Sequence, residues 1–166
     1  MKVSWGSTIQ ASGDIKFENG RLAALMPMIT RSFTVVGTLS INANYALAGE
    51  TVKTLFDTGR LEGAFVVEGG ELNNVDIVRA LQSSRNQRGG KTRFEKLTGT
   101  VQVSGPRVSY RQLQLSSGPM NASGTVDVSS GALSGSVNAE LSTSKGTLIK
   151  RETLGVAGTL ADPQLR

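Results

Sequence analysis

One short phrase recurs along this chain and limits what it can fold into. A glycine, a small residue and an apolar residue stand together at Gly37-Thr38-Leu39, Gly63-Ala64-Phe65, Gly99-Thr100-Val101, Gly124-Thr125-Val126, Gly135-Ser136-Val137 and Gly158-Thr159-Leu160. Most copies lie within alternating polar and apolar residues. Turn signals separate several of them: Ser104-Gly105-Pro106, Ser117-Gly118-Pro119 and Ser130-Gly131-Ala132. Strict alternation makes one face of a strand apolar and the other polar, and evenly spaced turns fold such strands into an antiparallel meander. The expected fold is therefore mostly β with minor α: a curved, half-open antiparallel sheet carrying two short helices. A sheet of this kind offers a surface or a groove rather than a pocket around a reactive side chain.

The 166 residues suffice for one domain, and no linker or boundary interrupts them, so residues 1–166 read as a single β-rich unit. Apolar residues make up 38%, low for a compact globule but adequate for a sheet with one wet face. There is no cysteine and no histidine. Disulfides, thiolate metal sites, a Ser-His-Asp triad and His-ligated zinc are excluded by that alone. The carboxylates are scattered, and none forms a calcium loop or an evident catalytic pair, so the reading is non-catalytic, with no cofactor and no metal. Asn121-Ala122-Ser123 is a formal glycosylation sequon, meaningful only in a suitable secretory pathway.

Along the chain, residues 3–11 and 14–17 read as strands, the second ending at a hairpin turn over Glu18-Asn19-Gly20-Arg21. Residues 22–29 read as a strand or irregular edge, and 32–47 as one long strand. The spacing of Val52, Leu55 and Phe56 predicts a short helix over 50–57. Residues 60–68 form a strand, Gly69-Gly70 a turn, and 71–73 a short strand. Asn73 or Asn74 is expected to cap a second helix running from Val75 to about Asn86, with Asp76 in its first turn and Ile77, Val78 and Leu81 on its apolar face. Strands near 92–104, 107–117, 120–129, 132–143 and 153–161 complete the meander. Apolar parity slips from even to odd between Tyr110 and Leu113, which predicts a bulge near Arg111-Gln112.

The apolar face supplies the candidate lipid-facing residues: Val101, Val103, Val126, Val128, Val137 and Leu141. The chain carries a formal charge of +5, which favours anionic partners. Its basic residues concentrate at Arg79, Arg85, Arg88, Lys91 and Arg93, candidates for contact with anionic headgroups; the plainer reading is a solvated loop with favourable charges at a helix end. Gly89-Gly90-Lys91-Thr92 imitates the end of a phosphate-binding loop, but Arg85 stands where the first glycine is needed, and the segment follows a helix instead of opening one. Only Phe94 lies among the basic residues, so no nucleic-acid partner is expected. Neither a signal peptide nor an apolar run of membrane-spanning length is present in these residues.

Three phrases resemble the C-terminal region of the AsmA family of Gram-negative envelope proteins. They are Gly69-Gly70-Glu71-Leu72-Asn73-Asn74-Val75-Asp76-Ile77; the series from Gly89-Gly90-Lys91-Thr92-Arg93-Phe94 through Leu97-Thr98-Gly99-Thr100-Val101 and Leu113-Gln114-Leu115-Ser116 to Gly124-Thr125-Val126-Asp127-Val128; and Val156-Ala157-Gly158-Thr159-Leu160-Ala161-Asp162-Pro163. The resemblance covers about residues 61–163. It implies a periplasmic domain cut from a longer chain anchored in the inner membrane, serving outer-membrane biogenesis by carrying phospholipid along an apolar sheet. The partners it implies are phospholipid or a membrane surface and neighbouring segments of the parent chain. The rival expectation is a structural or protein-interaction module of a cell-envelope protein, without its own ligand.

Overall fold

The computed structural model of the chain describes residues 2–4, 8–24, 35–83 and 87–166. In chain order its elements are β1 (Lys2–Ser4), β2 (Ile9–Arg21), β3 (Val35–Gly49), α1 (Val52–Asp57), β4 (Arg60–Asn73), α2 (Ile77–Gln82), β5 (Gln87–Arg88), β6 (Lys91–Ser104), β7 (Arg107–Ser117), β8 (Met120–Ser129), β9 (Ala132–Ser142), β10 (Leu148–Gly158) and β11 (Pro163–Leu165). The strands form one open antiparallel sheet in the order β1-β2-β3-β4-β6-β7-β8-β9-β10-β11-β5. Apart from β5, chain neighbours are sheet neighbours, as the evenly spaced turn signals require. The expected mostly β, antiparallel fold with two short helices is the fold observed.

The displaced strand β5 shows how the sheet curls. It pairs with β11 at the far edge through Gln164↔Arg88 and Leu165↔Gln87, yet Arg88 is only three residues before Lys91 of β6. Three Cα steps reach at most about 11 Å. At this end the last strands are therefore drawn back towards β6, and α2 contacts β6, β9 and β10 together. Glycines at the centre of the sheet permit the curvature. A Cβ on Gly124 would lie 2.1 Å from the Ser136 carbonyl oxygen, and one on Gly135, whose φ is +152°, would lie 2.1 Å from that of Thr125. At these two copies of the recurring phrase adjacent backbones approach too closely for any side chain.

Bulges set the remaining register. β7 carries one residue more than either neighbour at the expected place: Tyr110 pairs with Val126 and Leu113 with Gly124, while Gln112 adopts φ +50°. The insertion returns Leu113 and Leu115 to the face of Val108 and Tyr110. In β2, by contrast, Asn19-Gly20 is not a hairpin turn. The strand runs through it, and a register shift between Phe17 and Gly20 makes it a bulge. A two-residue hairpin turn of the Asn-Gly kind needs both central residues left-handed; here Asn19 alone takes φ +56°.

Gly69-Gly70 is not a turn either. β4 continues to Asn73 with an unchanged register against β6, and Gly69 interrupts only the local pairing, at φ +56°. Around it the inward parity of β6 changes, so that Thr92 and Phe94 are buried before the break and Val101 after it. The second helix is shorter than its periodicity suggests. Asp76, not Asn73 or Asn74, is the cap, its Oδ1 accepting from the Arg79 backbone N–H at 2.9 Å. Asn74 is a turn residue with φ +66°. Ser83 ends the helix in extended conformation, and residues 84–86 lie outside the described residues. Residues 22–24 form a helical turn, with 25–34 again outside them. β10 begins at Leu148 instead of 153, and the short β5 and β11 have no periodic signal of their own.

Candidate functional site

The pairings stack the apolar face into rows that cross the sheet. One row runs Leu61, Val103, Val108, Val128, Leu133. The next runs Gly63, Val101, Tyr110, Val126, Gly135, Val156, and the one beyond it reaches Leu113, Gly124, Val137 and Leu154. A further row contains Val67, Leu97, Leu115, Ala122 and Ala139, with Met120 paired to Leu141 beside it. All six candidate lipid-facing residues therefore share one face of β6, β8 and β9.

Cover on this face is uneven. α2 lies over the last rows: Leu81 is 0% exposed, and Ile77, Ala80, Met120, Ala122, Ala139 and Leu154 are buried with it. A six-residue helix has little stability of its own, so this packing is what holds it. α1 occupies the Gly49 end of β3, where Leu55 is buried and the Thr58 hydroxyl donates to the Ala48 carbonyl. Between the two helices, Val103, Val126 and Val137 stay partly buried, as does Leu141 nearer α2, while Val101 and Val128 are buried. Phe65 and Tyr110 meet edge to face, centroids 6.2 Å apart, and burial pushes the Tyr110 hydroxyl pKa up. Towards the β2 edge the same face ends in exposed Ile15 and Phe17.

Among the described residues the apolar face also carries a charged pair. Lys150 and Glu152 stand opposite Leu141 and Ala139, with Nζ and Oε2 3.0 Å apart, and the Lys150 ammonium also donates to the Leu81 carbonyl at the end of α2. This cation satisfies a helix C-terminal carbonyl where positive charge is favoured.

Most of the basic candidates on described residues have acidic partners. Arg79 is exposed on α2. Lys91 and Arg93 both bind Glu71, at 2.8 and 3.2 Å, and their hydrogen bonds hold the Glu71 carboxyl below its ordinary pKa. Arg88 pairs with Asp162 at 3.2 Å on the far edge, fastening β5 beside β11. Arg85 lies outside the described residues.

The polar face holds a cluster that alternation alone does not reveal. The Ser109 hydroxyl donates to Asp127 Oδ1 at 2.5 Å, and Arg111 grips the same carboxylate with both terminal nitrogens, at 3.0 and 2.8 Å. The Ser109 hydrogen bond and then the Arg111 contacts lower the Asp127 pKa. The group ties β7 to β8 next to the bulge. Parity puts Ser109 and Arg111 on one face, and the Ser117-Gly118-Pro119 turn together with the one-residue bulge in β7 sets Asp127 opposite Ser109. Two shallow depressions, of about 440 and 620 Å³, lie nearby and share Thr98, Gln114 and Ser123; the first adds Lys96, Asn121 and Leu115, the second Phe65, Val66 and Leu113.

Among the described residues no group of acidic side chains is arranged to hold a metal ion, and no helix is long and apolar enough to cross a membrane. No protein-family model, curated protein or solved structure matches the chain.

Proposed function

We propose that this chain is a non-catalytic, AsmA-like domain of the periplasm that binds phospholipid acyl chains on its apolar sheet face, as part of a longer, inner-membrane-anchored protein of outer-membrane biogenesis. The observation that carries the reading is the uneven cover. α2 seals one end of the apolar face, while Val103, Val126 and Val137 remain only partly buried and the face runs on to exposed Ile15 and Phe17. A methylene moved from water onto such a surface gains about 0.8 kcal/mol, so a chain of a dozen carbons laid along these rows would be held without a polar anchor. Lys150 and Glu152 beside α2 mark where apolar lining gives way to charge. The order and spacing of the three AsmA-like phrases support the same assignment.

The alternative is a structural module whose apolar face only packs against adjoining segments of a parent chain. The edge of β2, unpaired beyond Ser12 among the described residues, favours it, since an open edge recruits strands. Native mass spectrometry of the gently purified protein, followed by lipid extraction, separates the two. Stoichiometric phospholipid, lost in a folded Val126→Asp variant, supports lipid binding. A clean mass of the protein alone, with stability unchanged by added phospholipid, supports the structural module.

A further inference from the structure

We infer that the chain self-associates through the edge of β2 that no described strand pairs, antiparallel with the β2 of a second copy about a two-fold axis at Phe17. This goes beyond the lipid reading and does not depend on it. β1 covers only Gln10, Ala11 and Ser12 on the outer side of β2. From Gly13 to Arg21 the other side is zipped to β3, and no described strand pairs with the outer one. Alternate residues of this nine-residue stretch thereby present backbone donors and acceptors as a template for another strand.

The side chains on this edge are self-complementary. Counting the bulge at Asn19, the polar face of the free segment reads Asp14, Lys16, Glu18, Arg21, alternating in sign. An edge protected only against pairing would be served by charges of one sign, which repel in any register. Reversed and laid against itself about Phe17, this series sets Lys16 opposite Glu18 and Asp14 opposite Arg21, twice each. On the apolar face, Phe17 meets its own counterpart. Ile15 comes against the Phe17 ring of the second copy, which lies over Gly20; a Cβ there would sit 1.8 Å from a ring carbon. Ile15 and Phe17, 40% and 37% exposed, would both be covered.

Other registers fail for stated reasons. Centring on Lys16 puts Lys16 against itself and Asp14 against Glu18. Centring on Ile15 drives residues 18–21 into the place that β1 takes beside Gln10–Ser12. The Phe17 register uses the whole window and ends where the chain leaves the sheet at Leu22. A two-fold contact of this kind is closed, giving a dimer instead of a fibre.

Sedimentation velocity over a range of concentrations tests it, with far-UV circular dichroism as the check on folding. The 17.5 kDa chain should shift towards twice that mass as concentration rises. Lys16→Glu and, independently, Glu18→Lys each place like charges opposite one another twice, and should weaken association about tenfold or more. The double variant Lys16→Glu with Glu18→Lys exchanges the signs and should restore it. A chain that stays monomeric at every concentration overturns the inference. So does a dimer indifferent to Lys16→Glu, or a double variant no better than the single ones.

Discussion

Replacing Leu81 by alanine tests the uneven cover of the apolar face. Leu81 is completely buried, at the point where α2 meets the rows of Leu115, Met120, Ala139 and Leu154. The change removes three carbons, worth about 2.4 kcal/mol at roughly 0.8 each. The cavity left in a packed site adds about 1 kcal/mol, giving a loss of about 3–4 kcal/mol, inside the range of roughly 2–5 for buried leucines. Val103→Ala, on the same face but away from α2, removes two carbons from a partly buried side chain and should cost only about 1 kcal/mol. Urea unfolding followed by circular dichroism measures both. Equal losses, or a loss at Leu81 below about 1 kcal/mol, would show that α2 does not seal one end of the sheet, and the uneven cover of the apolar face would fail with it.

Three further outcomes follow from backbone and charge. Gln112→Gly should stabilise the protein by about 0.5–1 kcal/mol, because it relieves a left-handed residue in the β7 bulge; a loss of stability in thermal melts would contradict this. Gly135→Ala should cost about 2–4 kcal/mol, since its Cβ would meet the Thr125 carbonyl 2.1 Å away at a φ that alanine avoids; a near-neutral result in urea would remove glycine from the explanation of the curl. Asp127→Asn should destabilise at neutral pH, and the gap from the parent protein should close as pH falls below about 4. The Asp127 pKa is lowered in the folded state, so its contribution is complete above the unfolded value and lost as pH falls through the folded one. A gap that persists at low pH would sink the argument.

Where alternation extends over many residues, the sequence disclosed the structure closely. β7 and β8 occupy the residues expected of them, and the even-to-odd slip after Tyr110 located the bulge at Gln112. Period 2 leaves little freedom in such segments, because a one-residue slip would turn the valines of β6 and β8 out of the core. Legibility failed where a single residue had two conformational uses. Asn19 and Gly69 carry strong turn signals, yet each serves as an isolated left-handed residue within a continuous strand, and only pairing with β3 or β6 decides between these uses. Asp76 reads as a first-turn residue and proves to be the cap, because capping by Asn73 or Asn74 and capping by Asp76 differ only in local φ. β5 and β11, at two and three residues, exist through pairing with each other and β10, so no local pattern announces them. As to the site, the shared face of Val101, Val103, Val126, Val128, Val137 and Leu141 was readable from parity. Which rows α2 covers was not, because that depends on the curl. The run of basic residues was legible, but its acidic partners Glu71 and Asp162 were not, because they are distant in sequence.

The central claim is that lipid lies on one named face of the sheet. A photo-crosslinking amino acid placed singly at Val103, Val126, Thr125 and Ser136, with illumination in the presence of phospholipid and mass spectrometry of the adducts, tests it most directly. Val126 and Val103 stand on the apolar face and Thr125 and Ser136 on the opposite one, so lipid adducts should form at the two valine positions and not at the other two. Adducts in equal yield on both faces, or at none of the four positions in a folded protein, would contradict it.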